Sequence, residues 1–143
     1  MKKNNKGFSL VELIIVIAIM AVLIGVLAPQ FIKYVEQGRR STDITNAEEI
    51  RNAILADIAD GVIKGSGSGT FVNAEADATY DAGKIGASSI ATAPKVQGNL
   101  VASPNNVFTV TWNATTGECS VAVGTYTLTN PTDAQTYKTA TTP

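Results

Sequence analysis

The chain has 143 residues, 11 of them basic and 12 acidic, giving a formal net charge of −1, with no histidine and one cysteine. That length holds one modest domain beside an N-terminal segment. The missing histidine removes the commonest general base and metal ligand, the lone Cys119 excludes an intrachain disulfide, and the charge balance argues against general nucleic-acid binding.

The first element is the segment from Lys2 to Ile32. A short basic leader, with Lys2, Lys3 and Lys6, ends in Gly7; Phe8-Ser9-Leu10-Val11-Glu12 follows, and then twenty uncharged residues run from Leu13 to Ile32. Without the leader's three lysines, 8 basic groups remain against 12 acidic ones. Twenty apolar residues are long enough to span a bilayer as a helix, and lysines on the N-terminal side place that end in the cytoplasm. Glu12 is the unusual residue: a charge inside a membrane helix costs about 2.5–3.5 kcal/mol on insertion scales, so an acid there needs a partner. Cleavage after Gly7 would create one, a free α-amino group on Phe8, one helical turn before Glu12. A secretory signal fits less well, because its best cut site, Val26-Leu27-Ala28, is followed by Pro29. A plain single-span anchor explains the length but not Gly7, Phe8 and Glu12.

The run Lys6-Gly7-Phe8-Ser9-Leu10-Val11-Glu12-Leu13 resembles the class III signal of the type IV pilin superfamily, and Pro29 falls where many pilins carry a helix-bending proline. The resemblance is tight over about the first 30 residues and architectural beyond them. It implies cleavage between Gly7 and Phe8 by a prepilin peptidase, N-methylation of Phe8, and an assembly pair between Glu12 and the Phe8 amine of a neighbouring subunit. That pair has a physical rationale, because a buried charge alone is costly and a paired one tolerable, so subunits out of register are penalised. The missing disulfide departs from the pattern of many Gram-negative pilins.

The helix should continue beyond the span. Pro29 removes a backbone donor and crowds the preceding turn, and Gly25 loosens the same stretch, so these two residues mark a kink that melts on filament packing. Glu36 with Arg40, and Arg39 with Asp43, stand at i,i+4 spacing and read as pairs on an exposed helix. Ile44, Ala47, Ile50, Ile54 and Ile58 form an apolar stripe for a sheet to pack on, and Asp60-Gly61 is the expected stop. A helix from Phe8 to Asp60 is about 80 Å long.

Lys64 to Gly69 is glycine-rich and reads as a flexible loop. Thr70 to Asn106 reads as a loop region with a turn of helix near 88–92 and a short strand near Leu100. Three strands follow, over 107–112, 119–123 and 125–129, with Phe108, Val110 and Trp112, then Cys119, Val121 and Val123, each on one face. Asn130-Pro131 ends the sheet, and the threonine-rich tail reads as an extended segment along its edge.

Other chemistry is sparse. There is no P-loop, dinucleotide fingerprint or Cys/His metal spacing. Glu75, Asp77 and Asp81 lack the EF-hand glycine and terminal glutamate, so solvated charge is the reading there, with a hard cation such as Ca²⁺ as the alternative. Cys119 is expected to be a buried, inert thiol. No cofactor is expected.

These observations define an α+β chain. A cleaved leader spans 1–7, an apolar membrane or filament-core helix 8–32, its amphipathic half 33–61, and a head with a small antiparallel meander 62–143. The resemblance implies a non-enzymatic subunit of a type IV pilus serving adhesion, motility or surface attachment. Its partners would be copies of itself, the prepilin peptidase, the assembly machinery and the membrane. It would begin in the cytoplasmic membrane as a single-pass protein and end in an extracellular pilus. The alternative within the class is a pseudopilin of a type II secretion or DNA-uptake system; the alternative outside it is a monomeric membrane-anchored domain, a solute-binding or adhesive module, which a large open pocket would favour and for which the head is small.

Overall fold

The computed structural model describes residues 7–72 and 83–141. The leader lysines and the acidic trio Glu75, Asp77 and Asp81 lie outside the described residues. The chain divides into two compact units, one up to Val35 and one from Glu36 onward. Helix α1, Leu10–Ala59, supplies the N-terminal unit and the first element of the second.

The stop falls where the sequence puts it. Gly61 adopts a positive φ of 73°, which lets the backbone N–H groups of Val62 and Ile63 return to the Asp57 carbonyl at 2.9 and 3.1 Å. Past Glu36 the expected stripe is the core face of α1: Ala47, Ile50 and Ile54 are fully buried, and Ile44 and Ile58 pack at its margin.

Among the described residues the sheet that covers this face has five strands: β1 Ser66–Phe71, β2 Lys84–Ile85, β3 Phe108–Asn113, β4 Glu118–Val123 and β5 Tyr126–Thr127, in the order β2-β1-β3-β4-β5. The last three strands form the expected antiparallel meander, with Val110 opposite Val121 and Phe108 opposite Val123. Phe108, Val110, Val121 and Val123 are buried against the helix. The β3–β4 turn is fixed by Asn113, whose side-chain oxygen accepts the N–H groups of Thr115 and Thr116, and by Gly117 at φ 72°.

Several expectations change. The sheet is mixed, because β2 pairs with β1 in parallel. The glycine-rich stretch is not a flexible loop: Ser66–Phe71 is β1, bonded to β3 on one side and β2 on the other. Its glycines answer close approach. A Cβ on Gly67 would lie 2.8 Å from the Trp112 ring, and one on Gly69 2.8 Å from the Gly83 backbone. The third strand of the meander shrinks to Tyr126–Thr127. The threonine-rich tail is not an extended edge: Pro131–Thr139 forms helix α2. Asn130 caps it, accepting the N–H groups of Thr132 and Asp133, and Pro131 sits where a helix tolerates a missing donor.

Between β2 and β3 the chain is irregular, as expected. Residues 88–92 make a turn closed by the Ile90 N–H on the Ala87 carbonyl rather than a helical turn, and Leu100 is outside any strand.

Candidate functional site

The N-terminal unit presents the residues of the sequence motif in the open. Phe8 is 80% exposed, and among the described residues nothing lies within 4 Å of where a Gly7 side chain would begin. Ser9 opens α1: its carbonyl accepts the Leu13 N–H at 3.2 Å. Glu12 lies in the first turn, and its Oε2 accepts the Ser9 backbone N–H at 2.9 Å. Within the single chain, then, the Glu12 carboxylate is bonded to Ser9 and not to Phe8.

Gly25 and Pro29 lie inside α1 and share one missing bond. In an α-helix the N–H of residue 29 would donate to the carbonyl of residue 25, and Pro29 has no N–H to give. The proline ring also presses toward that same carbonyl, and glycine is the residue that lets the backbone there adjust most cheaply. These two positions are one weak point, four residues apart.

From Leu10 to Ile32 the large apolar side chains are all exposed, Val16 least at 40% and Leu10 most at 73%. Among the described residues this is the one helix long and apolar enough to cross a membrane, and none of its apolar window is buried. Moving some sixteen such side chains out of water is worth on the order of 25–50 kcal/mol at about 1.5–3 kcal/mol each. That exceeds the whole stability of an ordinary domain, about 5–15 kcal/mol. The surface therefore requires lipid or protein around it.

The second unit holds a polar cluster that the sequence reading placed on the outside. Glu36, Arg40 and Asp43 are buried, not exposed; Arg40 is 1% and Asp43 0% accessible. Arg40 does pair with Glu36, at 3.0 Å, but Arg39 remains exposed, and Asp43 turns away from it. Asp43 accepts the backbone N–H groups of Gln97 and Gly98, each at 2.8 Å, and the Tyr137 hydroxyl at 2.8 Å. Glu36 accepts the Asn99 N–H at 2.7 Å. Arg40 donates to the carbonyls of Tyr137 and Ala140, closing the C-terminal end of α2, and its guanidinium lies 6.0 Å from the Tyr137 ring centre. Burial first, then the bond to Asp43, holds the Tyr137 phenol well above its usual pKa. Asp57 repeats the pattern further along: it is buried and accepts the Ser88 N–H at 2.7 Å.

Glu36, Asp43, Ile50 and Asp57 are seven residues apart, two helical turns, so they form one row on α1. Its carboxylates receive backbone donors of the irregular 86–107 segment, which has few strand partners of its own. Charge-assisted bonds of this kind are shorter and stronger than neutral ones.

Cys119 is the expected inert thiol. It is 9% accessible, and burial pushes its pKa up to about 11 against a smaller opposing effect of Arg51. Arg51 itself donates to the Cys119 carbonyl at 3.1 Å. Among the described residues no group of three or more acids or cysteines is placed to hold a metal.

An exposed apolar helix with a single acid in its first turn, followed by a small α+β head, is the form of a membrane-anchored precursor. Comparison with known proteins agrees. Residues 2–28 match the prokaryotic N-terminal methylation motif. The chain is 32% identical over 99 residues to a fimbrial protein of Dichelobacter nodosus, covering 61% of this chain and 62% of that protein. It is 36% identical over 61 residues to a type IV major fimbrial protein FimA of the same organism, covering 43% of this chain and 39% of that one. The chain thus spans less than two thirds of the length of these relatives. No solved structure matches it significantly. Motif, fold and relatives together support a type IV pilin.

Proposed function

We propose that this chain is a structural subunit of a type IV pilus, assembled from the membrane through the apolar half of α1. The observation that carries this reading is the exposed segment from Leu10 to Ile32, uncharged except for Glu12. In the precursor, lipid covers it, with the leader lysines on the cytoplasmic side. A prepilin peptidase cuts between Gly7 and Phe8, and Phe8 is N-methylated. In the fibre, the same segments of neighbouring copies cover one another, and a Glu12 carboxylate meets the Phe8 amine of the next subunit. Gly25 and Pro29 are where α1 yields as the copies pack. Adhesion, motility and surface attachment follow from such a fibre, which reaches the outside through the pilus assembly machinery.

The test is to shear surface fibres from cells making this protein and weigh their main component. The expected mass is that of a chain beginning at N-methylated Phe8. Fibre protein that still begins at Met1, or a mature chain that stays monomeric in the membrane while no fibre contains it, overturns the proposal.

A further inference from the structure

The β3–β4 turn carries one more step, which rests on the reading above only in placing the head on the outer side of the membrane. Two asparagines of the chain have a serine or threonine two positions on, Asn113 in Asn113-Ala114-Thr115 and Asn130 in Asn130-Pro131-Thr132. The first fits the acceptor sequence for N-linked sugar, and the central proline excludes the second.

The turn leaves the acceptor atoms open. Asn113 Oδ1 accepts the backbone N–H groups of Thr115 at 3.0 Å and Thr116 at 3.2 Å. Both partners are donors, so the oxygen faces them and Nδ2 faces away. Nδ2 and the Thr115 hydroxyl have no hydrogen-bond partner among the described residues, whereas the Thr116 hydroxyl donates to Glu118 Oε2 at 2.9 Å. Thr115 is exposed and Asn113 half-exposed, at the end of the hairpin. The two side-chain groups that define the acceptor sequence are thus the two that the turn does not consume. The bonds to Oδ1 also favour the deprotonated amide, which eases loss of an Nδ2 proton.

An open hollow of about 810 Å³ adjoins Asn113, lined in part by Ser66, Ser68, Thr111, Glu118 and Ser120. The strand register sets Ser66 and Glu118 on either side of Asn113, and Ser68 and Ser120 on either side of Thr111. Hollows of this size hold small organic groups. Hydroxyl contacts are weak singly, but a sugar tethered at Nδ2 meets them at high effective concentration.

We propose that Asn113 Nδ2 carries an N-linked glycan whose first sugar lies over these polar side chains. The donor is a sugar joined through its anomeric carbon to a lipid diphosphate on the outer side of the membrane. A bond forms between Nδ2 and the anomeric carbon, and the bond from that carbon to the diphosphate oxygen breaks. The diphosphate leaves with the electron pair, and the Nδ2 proton passes to a base of the transferase. Oδ1 keeps both of its backbone donors, so the turn survives the modification.

The test is peptide mass spectrometry of the chain from cells that make it, taken from membranes and from sheared fibres. The peptide containing Asn113 should be heavier than its sequence by one or more sugar residues. The increment should vanish in Asn113→Asp, which keeps acceptors for the turn, and in Thr115→Ala, which keeps Asn113 itself. It should persist in Thr115→Ser and in Asn130→Asp. A bare Asn113 peptide in the parent overturns the proposal whatever the variants do, and so does an increment that survives Asn113→Asp or Thr115→Ala. In ¹⁵N-labelled protein in micelles, the amide shifts of Ser68, Thr111 and Ser120 should differ between the parent and Thr115→Ala; unchanged shifts overturn the placing of the sugar. Failure of the filament reading looks different: the membrane protein would carry the sugar while no fibre contained the chain.

Discussion

The Tyr137 hydroxyl donates to Asp43 Oδ2 at 2.8 Å, with both side chains fully buried, and this bond ties the C-terminal helix to α1 across 94 residues of chain. Tyr137→Phe removes the donor and leaves Asp43 two backbone partners, so it should cost about 1–2 kcal/mol. Asp43→Ala strands the hydroxyl and the N–H groups of Gln97 and Gly98 together, and should cost on the order of 3 kcal/mol or more. Denaturant unfolding of the full chain in micelles, followed by circular dichroism, measures both; equal costs for the two variants would contradict the shared-acceptor arrangement.

Arg40 is the sole cation in that cluster among the described residues. Arg40→Ala leaves two buried carboxylates facing only neutral donors and should cost about 3–5 kcal/mol. Lysine should not restore it, because the two carbonyls and Glu36 are reached by a planar fork that a point charge cannot reproduce. Hydrogen exchange should speed up at 97–99 and across α2 before it does so in β3 and β4. Uniform speeding across the sheet would show that the cluster is not a local tie.

Two glycines are set by neighbours. A Cβ on Gly98 would stand 2.7 Å from the Tyr137 hydroxyl and 2.9 Å from Asp43 Oδ2, inside the cluster. Gly98→Ala should destabilise by about 1–3 kcal/mol. Gly67→Ala meets the Trp112 ring at 2.8 Å and should cost a similar amount, with a change in tryptophan emission that Gly98→Ala does not produce. The paired thermal and fluorescence measurement separates them.

Stability should fall in alkali. The Cys119 pKa is raised from 9.0 to about 11, so the folded state holds its proton more tightly than the unfolded one. That contribution is fully present below pH 9 and is lost as pH rises from 9 toward 11, at up to about 1.4 kcal/mol per pH unit. Tyr137, also raised, adds a second loss that begins near pH 10. Cys119→Ala should flatten the profile between pH 9 and 11, and an unchanged slope would exclude the thiol as its source.

Glu12→Ala should leave insertion and cleavage intact, since the span becomes more apolar. Sheared fibres should fall by about tenfold or more, the equivalent of 1.4 kcal/mol, and by less in Glu12→Gln, which retains shape and polarity. Comparing mature membrane protein with fibre protein in each strain checks this; equal ratios in parent and alanine variant would leave Glu12 without an assembly role.

Where periodicity carried the signal, the fold could be read from the sequence. The stripe of Ala47, Ile50 and Ile54 and the alternation through Phe108, Val110, Val121 and Val123 are direct records of burial. β1 escaped because glycine is read as freedom, whereas Gly67 and Gly69 are there for the ring and backbone pressed on them. Helix α2 had a legible start in Asn130-Pro131 with Asp133 in the first turn, but its threonines favour strand and outweighed that signal.

The buried cluster was hidden for a different reason. Glu36 and Arg40 at i,i+4 spacing look the same whether water or protein lies over them, because the partners that decide the matter are the backbone of residues 97–99 and the far end of the chain. The seven-residue recurrence of Glu36, Asp43 and Asp57 on the face that also carries Ile50 was the available clue. An acid repeatedly in line with an apolar stripe is expected to be buried and bonded. The N-terminal residues were legible as a motif, and their local bond, Glu12 to Ser9, follows from the S-x-x-E spacing itself.

The carboxylate row fastens the 86–107 segment through the main-chain amides of Ser88, Gln97 and Asn99, whose side chains are all exposed. Such fastening is blind to spelling. Apart from Gly98, the residues at the fastened positions can be exchanged for any residue but proline, which has no N–H to give, without touching what secures them, so the outward face of the head is free to be rewritten while its attachment to the helix stays the same.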